Sequence, residues 1–177
     1  SIMASILKVD KIRGTGLDSD SISIDGSGNL TTTKTLSAPG HVIQVVQNTS
    51  TAYVATTSDS FVDVGFAITI TPKLATSKIL LQLHVFCGIP NAGQGSMNIY
   101  GSVEGGLLSS DTYGFGGMYD AGGSQCEGIN SINFLTGVVG STSARTYTLY
   151  GKSTGTDSAY FLNNTRRSTF TAMEIAQ

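Results

Sequence analysis

The sequence predicts an all-β fold, with an N-terminal β stalk over residues 1–38 and a jelly-roll-like β-sandwich head over residues 39–177. Three observations support this prediction: a composition rich in small polar residues, segments of period-two alternation, and one Pro-Gly break. The 177 residues include 22 Gly, 22 Ser and 22 Thr, and only 12% are charged, against about 25% in ordinary soluble domains. Such a mixture favours short strands joined by tight turns and disfavours helices.

The break lies at Pro39 and Gly40 and separates two segments that differ in their content and pattern of apolar residues. Pro39 has no backbone donor and holds Ala38 extended, while Gly40 lets the chain change direction before the β-branched run at residues 42–46. The residues that follow Gly40 number 137 (177 minus 40), which is enough for a sizeable core. We therefore expect one head domain after the break.

The segment before the break alternates weakly. Residues 5–12 read as a strand, and residues 22–24 and 30–36 alternate on either side of a glycine-rich turn at residues 25–29. These runs carry too few apolar side chains for an independent core, which is typical of chains that stack around a partner axis. We interpret the segment as an oligomeric stalk, with a disordered arm as the alternative.

The head contains the clearest strand patterns. Val62, Val64, Phe66, Ile68 and Ile70 share one face of a predicted strand at residues 61–70. Further strands are predicted at residues 52–57, 79–87, 97–103, 132–139, 145–152, 159–163 and 169–176. We interpret the glycine-rich region 88–128 as long loops that could hold one strand.

The strand at residues 79–87 has an unusual second face. Its odd positions are apolar, whereas Leu80, Gln82, His84 and Phe86 form a semi-polar face on a strand that otherwise looks central. Such a face often packs against another subunit, where polar groups are satisfied across the interface. These four residues are therefore our candidate subunit interface, and with the under-filled stalk they predict a homotrimer.

Charge and hydropathy argue against several classes of function. The net charge is −2 with a pI near 5.5, so we expect no nucleic-acid partner. The longest apolar run is far shorter than the roughly 18 residues that span a bilayer, and no signal peptide is recognisable. We therefore expect assembly in a cytosol and no membrane insertion. Cys87 and Cys126 have no metal-ligand spacing and are expected to be free thiols, a disulfide being the alternative.

Catalysis has little support in the sequence. His41 and His84 are the only histidines, too few for an imidazole metal site and without a convincing partner for a triad. Glu104, Asp111, Asp120 and Glu127 lie in or beside the variable region, so a paired-carboxylate glycan hydrolase is one alternative. Solvated loop acids are commoner, and we expect neither enzymatic activity nor a cofactor.

The aromatic residues of the glycine-rich region are the candidate receptor-binding site. A ring face beside carboxylate, amide and hydroxyl groups can hold a sugar on a shallow surface. The candidates are Tyr100, Tyr113, Phe115, Tyr119 and Asp120. The alternative is that these aromatics anchor the loops to the head.

Several sequence pieces, taken together, resemble bacteriophage virion fibre proteins, especially those of marine phages. They are Met-Ala-Ser-Ile-Leu-Lys-Val-Asp-Lys-Ile (3–12), Ile-Ser-Ile-Asp-Gly-Ser-Gly-Asn-Leu (22–30), Pro-Gly-His-Val-Ile-Gln-Val-Val (39–46), Ile-Thr-Pro-Lys (70–73), Ser-Lys-Ile-Leu (77–80) and Thr-Ala-Met-Glu-Ile-Ala (171–176). The likeness covers both segments and is weakest over residues 88–130.

The resemblance implies a virion protein with a trimeric β head, whose N-terminal segment attaches to other virion proteins. It also implies binding to a bacterial surface receptor, a glycan or a protein, and no chemistry. The alternatives are a capsid decoration or head-fibre protein without a receptor, and a glycan-cleaving tailspike.

Overall fold

The computed structural model describes residues 11–13, 22–32, 38–155 and 157–177. Contacts divide the chain into two compact units, Ser1–Ala38 and Pro39–Gln177, and each is described by itself. The described residues form strands, turns and bends without a helix, so they include no helix that could cross a membrane. The all-β prediction is confirmed.

The first unit contains a small antiparallel sheet. Its strands are β1 (Lys11–Ile12), β2 (Ile22–Ile24) and β3 (Leu30–Thr32), in that order. The predicted turn at residues 25–29 joins β2 to β3, and Asp25 Oδ1 accepts hydrogen bonds from the Ser27 and Asn29 amides at 2.9 Å. The strand parts predicted at residues 5–10 and 33–36 lie outside the described residues.

The described residues of the second unit form eleven strands. They are β4 (Val42–Ser50), β5 (Val54–Thr56), β6 (Val62–Ile70), β7 (Lys78–Ile89), β8 (Gly93–Gly101), β9 (Gly106–Leu107), β10 (Gly116–Asp120), β11 (Cys126–Leu135), β12 (Arg145–Gly155), β13 (Ala159–Phe161) and β14 (Ser168–Ile175). They form two antiparallel sheets.

The strand order of the two sheets is that of a jelly roll. In the first sheet the order is β4-β14-β7-β11. The short β13 pairs with β7 on the same side as β14, beyond the end of β14, and β5 pairs with β13. In the second sheet the order is β6-β12-β8-β10, with β9 beside β8. If the eight long strands are numbered along the chain, the orders are 1-8-3-6 and 2-7-4-5, two interleaved Greek keys. The predicted jelly-roll-like sandwich is therefore confirmed.

The core lies between the two sheets and follows the alternation read in the sequence. Phe66 on β6 and Phe170 on β14 meet across the sheets with ring centroids 5.9 Å apart. The side chains that β6 and β7 bury include Val64, Phe66, Ile68, Ile70, Ile79, Leu81, Leu83, Val85, Cys87 and Ile89. The bounds of both strands were predicted within a few residues, because their apolar residues recur at the alternate positions that face the core.

The interpretation of residues 88–128 as long loops is wrong. The region holds the end of β7, all of β8, β9 and β10, and the start of β11. The physical reason is that several glycines lie where strands pack closely. A Cβ on Gly95 would approach the Ala159 Cβ to 2.9 Å, and a Cβ on Gly117 would overlap the Gly95 carbonyl oxygen. Glycine inside a strand marks close approach as well as turns.

Both cysteines are free thiols, as predicted. Cys87 lies in the core and Cys126 is half-buried at the start of β11. Burial raises the pKa of the Cys87 thiol to about 12, so this thiol is protonated at neutral pH and belongs to the apolar core.

Candidate ligand-binding site

An open pocket with a cavity volume of about 520 Å³ lies at one end of the second sheet. Tyr119 on β10, Gln94 on β8 and Thr154 on β12 are direct partners in register, so their side chains leave the same face of the sheet. The remaining lining residues come from these strand ends and the adjoining turns: Ala92, Gly93, Tyr113, Asp120, Ala121 and Gly155.

Two glycines allow the strands to meet at this end of the sheet. Gly93 and Gly155 are register partners with φ of +153° and +128°. A Cβ on Gly93 would lie 2.9 Å from the Thr154 carbonyl oxygen, and a Cβ on Gly155 would lie 2.9 Å from the Gly93 Cα. Neither position accommodates a side chain, so backbone contributes to the lining beside Gln94 and Thr154.

Three of the five predicted receptor-binding residues line this one pocket. Tyr113 and Tyr119 expose 52% and 66% of their surface, far more than an anchoring side chain does. Asp120 is the third of them in the lining. Its Oδ1 accepts a hydrogen bond from the Gly122 amide at 2.9 Å, whereas Oδ2 is buried and has no hydrogen-bond partner among the described residues.

The other two predicted residues lie elsewhere. Tyr100 leaves the same face of β8 as Gln94 but stands six residues further along, about 20 Å away. Its ring stacks on Tyr150 with centroids 5.2 Å apart. Phe115 packs against the core and meets Phe134 edge to face at 5.2 Å, which is the anchoring role held open for these aromatics.

Tyr113 is held in place by a contact on its other side. The ammonium of Lys152 lies 5.6 Å from the Tyr113 ring centroid and 4.9 Å from that of Phe61. A cation over two ring faces is a favourable arrangement, more so when it is removed from water. One ring of the pocket is therefore positioned by the protein before any ligand binds.

The acidic residues that were considered for hydrolysis have different partners and are not grouped in one site. Glu104 Oε1 accepts from Arg145 at 3.3 Å, and Glu127 Oε2 accepts from the Tyr160 hydroxyl at 2.9 Å. Among the described residues that line the pocket, Asp120 is the only acid. The pocket geometry therefore does not place two carboxylates around one ligand, which a glycosidase of the common type requires.

The candidate subunit interface lies on the outer face of the first sheet. Leu80 and Gln82 are half-buried and His84 is exposed, and all three point away from the core. Gln82 Nε2 donates to Asn133 Oδ1 at 3.0 Å, and His84 Nδ1 lies 2.9 Å from Ser131 Oγ. These polar groups are already paired within the chain.

Phe86 departs from that prediction. It is only 1% exposed because Tyr160 stacks on it with centroids 6.1 Å apart and the Arg166 guanidinium lies 4.7 Å from its ring centroid. Phe86 is thus covered by its own chain and is unavailable to a second subunit. The segment around β13 that covers it could not be placed from the alternation of β7 alone.

Comparisons with known proteins give distant structural likenesses only. No family model and no curated protein matches the chain. Solved structures that match include the D431N mutant VP2 protein of infectious bursal disease virus, at 12% identity and a TM-score of 0.39. Structures of the Gx and Gt strains of the same virus match at 13% and 11% identity with TM-scores of 0.40 and 0.35.

These matches cover 94%, 94% and 95% of this chain but only 41%, 41% and 43% of the viral chains, in the same order. This chain is therefore similar to less than half of each viral chain. At such low TM-scores and identities the likeness supports no inference about function.

Proposed function

We propose that the chain is a structural protein of a phage virion, a fibre or spike, whose head binds a bacterial surface glycan. The observation that carries the proposal is the pocket in which Tyr113, Tyr119 and Asp120 converge. The sequence pieces that resemble phage fibre proteins supply the setting, and the jelly roll is a fold that viral and lectin domains share.

The chemistry of the pocket suits a sugar. Sugar rings present apolar faces that stack on aromatic rings, and hydroxyl groups that need both donors and acceptors. The pocket supplies two exposed tyrosine rings, the Asp120 carboxylate, the Gln94 amide and the Thr154 hydroxyl. The Tyr119 ring contributes little to the core, because two thirds of its surface is exposed. Its exposure favours a role in binding over a role in stability.

The proposal includes assembly as a homotrimer in the virion. Val45, Met173, Leu80 and Leu135 are successive register partners on four strands and form one apolar row on the outer face of the first sheet. Val45 and Leu135 expose 55% and 48% of their surface. A second copy of the chain would bury this row, and residues 1–38 would attach the trimer to other virion proteins.

The binding proposal is tested with the double variant Tyr119→Ala, Asp120→Ala. We expect it to lose binding to immobilised bacterial polysaccharides, and to lose the ability of the purified protein to compete with phage adsorption. Tyr100→Ala is the matched control: it removes a tyrosine from the same face of the same sheet, outside the pocket, and should leave binding unchanged.

Three results would contradict parts of the proposal. A folded double variant that binds as well as the native protein would remove the receptor site from this pocket and favour a decoration role. Release of reducing sugar from host envelopes would show a glycan-cleaving spike. Light scattering should give three times the 18.4 kDa chain mass, and a stable monomer at micromolar concentration would exclude the homotrimer.

A further inference from the structure

A lysine without an anionic partner lies directly beside the pocket. Lys152 and Thr154 leave the same face of β12, about 7 Å apart along the strand. Lys152 is only 7% exposed, and its ammonium lies 4.9 Å from the ring centroid of Phe61 and 5.6 Å from that of Tyr113. Within the described part of the chain, no carboxylate or other hydrogen-bond acceptor contacts this ammonium.

A second unsatisfied group lies next to Lys152. Ser96 on β8 is its register partner, so the two side chains leave the same face on neighbouring strands. Ser96 is fully buried and its Oγ has no hydrogen-bond partner. Buried polar groups in native proteins are nearly always paired, with charged groups paired most strictly. The Lys152 ammonium, which has no acceptor within the described part of the chain, therefore marks a place for an anion.

Asp120, the acid in the same pocket, requires a different group on the ligand. Asp120 lies on β10, two strands away from Lys152, and its register position is three residues further along the sheet, so the two Cα atoms are about 14 Å apart. Its carboxylate accepts hydrogen bonds and repels anions. A ligand that satisfies both groups offers hydroxyls near Asp120 and a negative charge near Lys152, a spacing that a short oligosaccharide can span.

We propose that the pocket binds an acidic saccharide, with its hydroxyls donating to Asp120 Oδ1 and its anionic substituent beside the Lys152 ammonium. The inference rests on the proposed function of the pocket and adds the ligand class. The anionic substituent is a carboxylate or a phosphate, which share the chemistry that an ammonium recognises.

The test compares matched polymers on the whole protein. The probes are a glucuronate-containing capsular polysaccharide, the same polymer after reduction of its carboxyls to alcohols, and a phosphodiester-linked teichoic acid. Calorimetry or biolayer interferometry should show that reduction weakens binding about ten- to a hundredfold, as expected for the loss of a charge-assisted hydrogen bond. Added salt should weaken binding of the acidic polymer and not of the reduced one. Preference for the teichoic acid would identify phosphate as the substituent.

Variants of Lys152 locate the effect. Lys152→Met keeps the length of the side chain between the rings and removes the charge, so it should abolish the preference for the acidic polymer. Lys152→Arg should retain it. Lys73→Met is the control, because Lys73 is exposed and lies outside the pocket. If Lys152→Met fails to fold, the two-polymer comparison on the native protein and on Lys152→Arg still decides the outcome.

The two proposals fail in different ways. Equal binding of the native and reduced polymers, with both weakened by Tyr119→Ala, would overturn the acidic ligand and leave glycan binding standing. An acidic preference that Lys152→Met leaves intact would also overturn the role of this lysine. Absence of binding to all three polymers, together with host adsorption that is insensitive to Tyr119 and Asp120, would overturn the proposed function itself.

Discussion

Replacement of Glu174 by glutamine should destabilise the head strongly at neutral pH and little in acid. Glu174 on β14 is fully buried, yet neutral donors surround its carboxylate. Oε1 accepts from the amides of Lys73 and Leu74 at 2.9 Å and from the Ser77 hydroxyl at 2.7 Å. Oε2 accepts from the Lys73 amide at 2.9 Å and from Gln44 Nε2 at 2.6 Å. One side chain thus fastens the β6–β7 turn to β14.

The size of the effect follows from the donors that lose an acceptor. A glutamine side chain retains one oxygen, which can serve the three donors at Oε1. Its amide nitrogen then faces the Gln44 amide, donor against donor. One unsatisfied donor costs about 1–3 kcal/mol, so we expect Glu174→Gln to lower the free energy of unfolding by about that amount at pH 7.

The pH dependence has a definite sign. Burial alone would raise the pKa of Glu174, but hydrogen bonds from Lys73, Ser77, Leu74 and Gln44 outweigh it and lower the pKa below its ordinary value. A carboxyl whose pKa is lower in the folded state stabilises the fold above its unfolded pKa, about 4.3, and this stabilisation is lost as pH falls through the folded value. The difference between native and variant protein should therefore be constant above about pH 5 and shrink below it.

Urea unfolding followed by circular dichroism at several pH values measures this difference. Asp59→Asn is the control, because it removes an exposed carboxylate from the turn before β6 and should change stability by less than about 0.5 kcal/mol. A Glu174→Gln protein as stable as the native one at pH 7 would refute the argument. So would a difference that grows as the pH falls.

Three further predictions follow from packing. Gly117→Ala should destabilise the head by about 1–3 kcal/mol in denaturant unfolding, whereas Gly137→Ala, with nothing within 4 Å of its added Cβ, should be nearly neutral; equal effects would contradict the close approach at Gly117. Phe86→Ala should cost about 3–5 kcal/mol of stability, whereas Gln82→Ala should leave the melting temperature nearly unchanged; a stable Phe86→Ala protein that only loses self-association would restore Phe86 to the subunit interface. Cys87, with a pKa raised to about 12 by burial, should resist alkylation at pH 8 until the protein is unfolded; modification of the folded protein, read by mass spectrometry, would contradict its burial.

The strands that could be predicted are those in which one face is buried along the whole length. On β6 and β7 the apolar side chains recur at every second residue, and the core lies on that side. β8 and β12 carry many polar residues and lack this alternation of apolar side chains. Ser96 and Asn98 are polar but fully buried on the outer face of β8, so a polar residue does not indicate an exposed position in this strand. The predicted start of this strand was therefore four residues late.

The site was predictable in its aromatic half only. Tyr113 and Tyr119 stand out as large rings among glycines, and Asp120 follows directly after Tyr119. Gln94 and Thr154 give no signal, because a single polar residue at the end of a strand is ordinary. Their role depends on register across β10, β8 and β12, and register is set by pairing between distant segments.

The glycines that misled the sequence interpretation also build the site. A side chain on Gly93, Gly95, Gly117 or Gly155 would collide with a neighbouring strand or with the core, so these residues allow β10, β8 and β12 to lie close together. That closeness places Tyr119, Gln94 and Thr154 in one row and leaves backbone at the end of the sheet. A glycine-rich segment that was interpreted as long loops is thus largely strand, and a ligand that binds there meets positions for its rings and hydroxyls that the sheet sets. The binding proposal depends on this order, because an ordered sheet costs less conformational entropy on binding than a loop does.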